Sequence, residues 1–253
     1  MKKLIIGAAV LAAGVALADS GIVSSDIVGY NKAATEAGDN IYRVATFEAV
    51  SGTASTFKIG NISVGDEDFA WWNLDFIATV DPYGSQDTYY TWDPDTSAWY
   101  ECDDGANILD LSVSANDVEL PLNQALIIRS ENGVDLTFSG AVIAGDTELY
   151  GVAGDNTYTG NFTPTTLTLG DIVPGEDVDF AWWNLDYIAT IDPYGSQETY
   201  YTWDPDTSAW YECDDGCNIL DLESNANDVE FEPNKGFLFR TENGVSINIP
   251  SPL

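Results

Sequence analysis

The chain has no histidine, and this absence removes a whole class of chemistry. Ser-His-Asp and Cys-His nucleophile devices need an imidazole base, so neither can be built here. Three cysteines without histidine also make a poor donor set for zinc. Basic residues are scarce: eight Lys and Arg stand against 42 Asp and Glu. A field of that sign repels nucleic acid and anionic lipid, so neither is an expected partner. Glycine-rich nucleotide loops are missing. So is any run beyond residue 18 that is long and apolar enough to cross a bilayer. A pair of carboxylates suited to glycoside hydrolysis stays open, but in so acidic a chain such pairs arise by chance.

What is present begins with the first 20 residues. Lys2 and Lys3 are followed by an apolar stretch from Leu4 to Leu17, and Ala16-Leu17-Ala18 is a small-x-small cleavage pattern. This predicts a secretory signal peptide over 1–18 and an exported chain, destined for the periplasm, the cell surface or the medium. Without Lys2 and Lys3 the chain keeps six basic residues against 42 acidic, a formal charge of −36. Aromatic and aliphatic residues remain plentiful and patterned, so a packed core is expected in spite of the charge.

The rest of the chain is organised around a stretch that occurs twice. Residues 69–111 and 180–222 differ at only four of 43 positions: Phe76/Tyr187, Val80/Ile191, Asp87/Glu198 and Ala106/Cys217. All eight tryptophans lie in these copies, four in each. The offset of 111 residues is too long for a solenoid repeat or a propeller blade and suits a small β domain. In the first copy, Trp72, Leu74, Phe76, Ala78 and Val80 alternate with Trp71, Asn73, Asp75, Ile77 and Thr79. This predicts a strand with one buried and one mostly polar face. Gln86 to Cys102 reads as a β-hairpin around the Asp93–Ser97 turn. Further strands are expected at 26–32, 41–50, 117–120, 124–130 and 134–138, with Glu131-Asn132-Gly133 as a tight hairpin turn. Residues 57–64 suit either an edge strand or one helical turn. The second copy repeats this order, with 138–144 expected to play the part of 26–32. The fold class is therefore all-β, as two tandem duplicated β-sandwich-like domains over 19–139 and 140–253. The alternative is one closed β-barrel or sandwich formed by both repeats.

Three groups of residues are candidates for function. The first comprises Trp71, Tyr89 and Trp99 with Trp182, Tyr200 and Trp210. Flat rings shown on one rigid sheet face suit sugar rings or protein partners. Neighbouring rings such as Trp71-Trp72 and Tyr89-Tyr90 cannot all face a single core, so some must be exposed or interdomain. The second group is acidic: Asp93, Asp95, Glu101, Asp103 and Asp104, with Asp204, Asp206, Glu212, Asp214 and Asp215. Hard oxygen donors on two turns of one hairpin are candidate calcium ligands, although Ala98 and Asp104 stand where a calcium loop requires Gly and Glu. A solvated acidic turn is the simpler reading. The third group is the cysteines. Cys213 and Cys217 can close a local disulfide, Cys102 and Cys213 can bridge the copies, or all three can stay reduced.

One resemblance covers most of the mature chain. Asp26-Ile27-Val28-Gly29-Tyr30 precedes a hairpin of Tyr-Tyr-Thr-Trp type. A Pro-led segment then enters a strand ending in Arg, at 121–129 and 233–240. This resembles a group of exported bacterial β-rich proteins that carry a Val-Gly-Tyr strand after the signal peptide. The resemblance implies export and a β fold, and it carries no site residues. The resulting expectation is an exported, non-catalytic structural or interaction protein. It would meet its own kind, a surface partner or, as a carbohydrate-binding module pair, a polysaccharide; an acidic glycosidase is the distant alternative.

Overall fold

The computed structural model describes residues 28–38, 40–44, 47–48, 56–65, 69–81, 83–121, 125–142, 145–175, 180–192 and 195–251. The expected signal peptide lies outside them. The first repeat contributes β1 (Val28–Ala34), β2 (Asn40–Val44), β3 (Phe47–Glu48), β4 (Thr56–Lys58), β5 (Ile62–Val64), β6 (Phe76–Val80), β7 (Gln86–Asp93), β8 (Ala98–Cys102), β9 (Glu119–Pro121), β10 (Ala125–Arg129) and β11 (Asp135–Val142). The second contributes β12 (Thr147–Tyr150), β13 (Asn156–Gly160), β14 (Leu167–Thr168), β15 (Val173–Pro174), β16 (Tyr187–Ile191), β17 (Gln197–Asp204), β18 (Ala209–Cys213), β19 (Glu230–Phe231), β20 (Gly236–Arg240) and β21 (Ser246–Ile249). The chain is all-β, and no sheet among the described residues closes into a barrel.

Each repeat is a sandwich of unequal layers. The large layer has strand order β2-β10-β6-β7-β8 in the first repeat and β13-β20-β16-β17-β18 in the second. The small layer is built on β11, which pairs with β1, β3 and β5, and on β21, which pairs with β12 and β15. Short pairs β4–β9 and β14–β19 complete the repeats. In the first repeat Ile77, Trp99, Leu126 and Ile128 meet Phe57, Ile62, Leu136 and Phe138 in a common core.

The other face of each large sheet is also buried, which the expected alternation did not provide for. Phe76, Ala78, Val80, Ala125 and Ile127 belong to the same buried cluster as Tyr187, Ala189, Ile191 and Leu238 of the second repeat. All five residues of β6 are therefore buried. The adjacent tyrosines divide accordingly: Tyr90 joins the core of its own repeat and Tyr89 packs on the shared one. Across the junction β2 lies against β13 and β20, and β13 lies against β2 and β10. Since β2 and β13 are equivalent strands, as are β10 and β20, the contact is reciprocal, the pattern of an isologous dimer joined in one chain.

Several boundaries differ from the sequence reading. Residues 57–64 hold both a 3-10 turn (Ile59–Asn61) and short strands on either side. Glu131-Asn132-Gly133 does not close a hairpin, because β10 and β11 belong to different sheets and the turn carries the chain between layers. β11 runs through Ser139 and Gly140, which pair with Tyr30 and Gly29. The partner of the last strand in the second repeat is β12, so 147–150 rather than 138–144 takes the part of β1. No helix among the described residues is long and apolar enough to cross a membrane.

Candidate functional site

The expected strand from Trp71 onward begins only at Phe76. Before it, Trp71–Asn73 forms a single 3-10 turn, in which Asn73 N–H donates to Ala70 O (3.0 Å) and Leu74 N–H to Trp71 O (3.1 Å). Leu74 then adopts the left-handed conformation (φ 59°, ψ 31°), which costs an L-residue about 1–2 kcal/mol. The second copy repeats this with Trp182–Asn184 and Leu185 (φ 58°, ψ 34°). The turn lifts two rings and a leucine off the sheet. Trp71, Trp72 and Leu74 are 40%, 49% and 49% exposed, and Trp182, Trp183 and Leu185 are 41%, 51% and 46% exposed. The rings of each pair meet edge to face, with centroids 5.6 and 5.5 Å apart and interplanar angles of 74° and 78°.

A buried carboxylate holds each knob rigid. Asp75 is fully buried; one oxygen accepts Ala70 N–H (2.9 Å) and the other accepts Glu131 N–H (2.6 Å). Its carbonyl accepts the Thr91 hydroxyl (2.7 Å). Arg129 donates to Leu74 O (2.7 Å) and pairs with Glu131 (3.3 Å). In the second repeat Asp186 accepts Ala181 N–H (3.0 Å) and Glu242 N–H (2.7 Å), Thr202 bonds its carbonyl (2.8 Å), and Arg240 reaches Leu185 O (3.2 Å) and Glu242 (3.0 Å). Burial raises the Asp75 carboxyl above its ordinary value and pushes Asp186 up to about 6, against the downward pull of the backbone N–H groups and the arginine.

Of the six aromatics expected to form a binding face, only Trp71 and Trp182 are exposed to that extent. Trp99 and Trp210 have no exposed surface, and their indole N–H groups donate to Ile62 O (3.0 Å) and Ile172 O (2.8 Å). They are core, so the reading of them as display residues is corrected. Tyr89 and Tyr200 are half-buried and pack edge to face on Phe76 and Tyr187 at the shared core (5.2 Å in both cases). The outward partners of Trp71 and Trp182 are instead Trp72 and Trp183, which period-two alternation assigns to a buried face. Asn73 and Asp75 fit the polar face of that alternation, so the pattern itself gave no sign of the turn.

The carboxylates at the two hairpin turns serve the turns themselves. Asp93 is buried and accepts Asp95 N–H (3.1 Å) and the Thr96 hydroxyl (2.9 Å); Asp204 does the same with Asp206 and Thr207 (3.1 and 2.9 Å). Asp103 accepts N–H bonds from Gly105 (2.9 Å) and Asn107 (2.9 Å backbone, 3.0 Å side chain), and Asp214 accepts the matching set from Gly216 and Asn218. These bonds, those from Asn107 and Asn218 first, hold both carboxyls below their ordinary range. Asp95, Glu101, Asp104, Asp206, Glu212 and Asp215 stand exposed. Among the described residues no three acidic or cysteine side chains converge as metal ligands would.

The outer edges of the large sheets are closed to strand addition. Along β8, Leu109 N–H donates to Glu101 O (3.0 Å), Ala115 N–H to Trp99 O (2.7 Å), and Trp99 N–H to Asn116 Oδ1 (2.8 Å). Along β18, Leu220, Ala226 and Asn227 do the same for Glu212 and Trp210. The chain caps its own edges.

The sulfurs of Cys102, Cys213 and Cys217 are buried and unbridged. Burial, with Asp103 and Glu101 nearby, pushes Cys102 up to about 12. No protein-family model, curated protein or solved structure matches the chain.

Proposed function

We propose that this is an exported, non-catalytic interaction protein that grips a protein partner through two equivalent Trp-Trp-Leu knobs. One observation carries the reading. In both copies two tryptophans and a left-handed leucine are held outward by a buried aspartate and an arginine, where ordinary burial would have hidden them. Each knob offers on the order of 300 Å² of apolar surface, the size of the largest patch on an ordinary monomer, a patch that is often functional. Rigid aromatic anchors of this kind dominate binding energy at interfaces. The fitting partner has an apolar cleft and carries positive charge, since the net charge of −34 favours its approach. The edges of β8 and β18 are capped, so association through the large sheets falls to the knobs.

The test uses a defined probe, a fluorescent amphipathic Lys-Leu helix, and follows its anisotropy with the wild type and with Trp72→Ala/Trp183→Ala. Binding weakened at least tenfold in the variant supports the knobs as the contact. Equal binding by both proteins at matched salt means that charge alone attracts the probe, and the reading fails. Retention of the wild type, but not the variant, on insoluble polysaccharide would replace the protein partner with a sugar.

A further inference from the structure

We infer that Cys213 and Cys217 are the site of a disulfide that staples the turn after β18 in the second repeat only. The loop is small and already closed by backbone bonds. Cys213 pairs with Ile219 as an isolated bridge, Asp214 N–H donates to Asn218 O (3.1 Å), and Cys217 N–H donates to Asp214 O (2.9 Å). Both side chains enter the same buried cluster, which contains residues of both repeats. The hydrogen-bond contact of the Cys217 sulfur is weak, 3.8 Å from Asp186 O, an acceptor that Thr202 already satisfies. Bridging therefore strands no polar group.

The first repeat serves as an internal control. Its turn has the same backbone, with Ala106 at φ 57° where Cys217 has φ 58°, and the same bonds, Asp103 N–H to Asn107 O (3.1 Å) and Ala106 N–H to Asp103 O (3.0 Å). The fold thus accepts a residue without sulfur at this place, and the turn needs no cysteine to form. What the substitution adds is a second thiol beside the one common to both copies.

The bond must form before the repeats close, because both sulfurs end up buried. In the open chain the thiolate of one cysteine attacks a sulfur of a disulfide oxidant such as glutathione disulfide, and one glutathione thiolate leaves. The thiolate of the second cysteine then attacks the protein sulfur of the mixed disulfide, and the second glutathione leaves. The protein dithiol is oxidised by two electrons, the oxidant is reduced to two thiols, and the two protein protons end on those thiols. An exported chain meets such oxidants, as the proposed function requires. Once the core forms, the bridge is shielded from reductants.

The test is to refold the full chain in a glutathione redox buffer, block free thiols with iodoacetamide in denaturant, and map peptides without reduction. The expected result is one alkylated cysteine, Cys102, and a peptide carrying Cys213 joined to Cys217. Three alkylated cysteines overturn the inference, as does a bridge from Cys102 to Cys213 or to a second chain. Cys217→Ala copies the first repeat and should show two alkylated cysteines, Cys102 and Cys213. If Cys217→Ala does not fold, the wild-type map still decides. None of these outcomes depends on whether the knobs bind a partner.

Discussion

The anchor aspartate of the second knob gives a pH dependence whose sign can be worked out. Asp186 has an ordinary value of 3.8 in the unfolded chain and about 6 when folded. Because the folded value is raised, the native state binds more protons than the unfolded state between these limits. The contribution of Asp186 to stability is therefore fully present below pH 4 and falls as pH rises towards 6. A difference of about two pH units corresponds to roughly 3 kcal/mol. Many carboxylates titrate in the same range, and those held low, such as Asp103 and Asp214, oppose the trend. The assay must therefore isolate one residue. Urea unfolding of the wild type and Asp186→Asn would be compared at several pH values from 4 to 7. Asparagine cannot accept from both Ala181 N–H and Glu242 N–H, so the variant should be weaker at low pH by about 1–3 kcal/mol. As pH rises the gap should narrow by roughly the 3 kcal/mol that ionisation costs the wild type. A gap that stays constant, or widens, from pH 4 to 7 would refute the account of a desolvated anchor. Asp75 shares the direction of shift, and Asp75→Asn should narrow with the same sign.

Other perturbations separate display from core. Trp99→Ala should cost about 3–5 kcal/mol for the lost ring, plus about 1–3 kcal/mol for the orphaned Ile62 carbonyl, whereas Trp72→Ala should cost less than about 1 kcal/mol; chemical denaturation of both variants checks the contrast. Gly84→Ala probes the junction between repeats. Gly84 has φ +82°, and an added Cβ would lie 2.8 Å from Tyr158 Cζ of the second repeat. A loss of about 2–4 kcal/mol is expected from backbone strain and overpacking together, and an unchanged melting curve would mean the two repeats do not meet there. The staple at Cys213 and Cys217 closes a five-residue loop, for which chain entropy gives about 2 kcal/mol; denaturant midpoints with and without reductant measure it.

The hairpin from Gln86 to Cys102 was legible because its signals are local: β-prone residues on either side of an Asp-Pro-Asp-Thr turn. The observed register, with Trp92 opposite Trp99, follows directly. What alternation could not show was the second core. Period two places Phe76, Ala78 and Val80 on one face and Ile77 and Thr79 on the other, but it cannot say that a second large sheet covers the face its own small layer does not. Trp99 was misread for a different reason: it points into the core of its own repeat, where it packs on Phe69 and donates to Ile62 O of the small layer, a contact between residues 37 apart that no local pattern shows. The knob was obscured by its neighbours. Trp72 and Leu74 continue the pattern of β6, and only the left-handed leucine, a conformation invisible in sequence, turns them outward.

Duplication explains why the knobs take this form. Two copies of one sandwich meet through the large-sheet faces that would otherwise be exposed, and the meeting is reciprocal. That arrangement consumes the flat apolar faces, and self-capping consumes the outer edges of β8 and β18. On the proposed reading, contact is made by projections beyond these large sheets. A short 3-10 turn ahead of a central strand is well suited, because β6 and β16 are paired on both sides and packed on both faces. A buried aspartate at the base fixes the turn without occupying its outer surface. The retention of a strained leucine and two half-exposed tryptophans in both copies follows if the pair of knobs works together, since linking two weak contacts raises the effective concentration of the second. Single variants Trp72→Ala and Trp183→Ala should then each lose most of the binding to a bivalent probe, while binding to a monovalent probe falls by only about half. Equal, additive losses with both probes would leave the knobs as independent sites and remove the functional reason for the duplication.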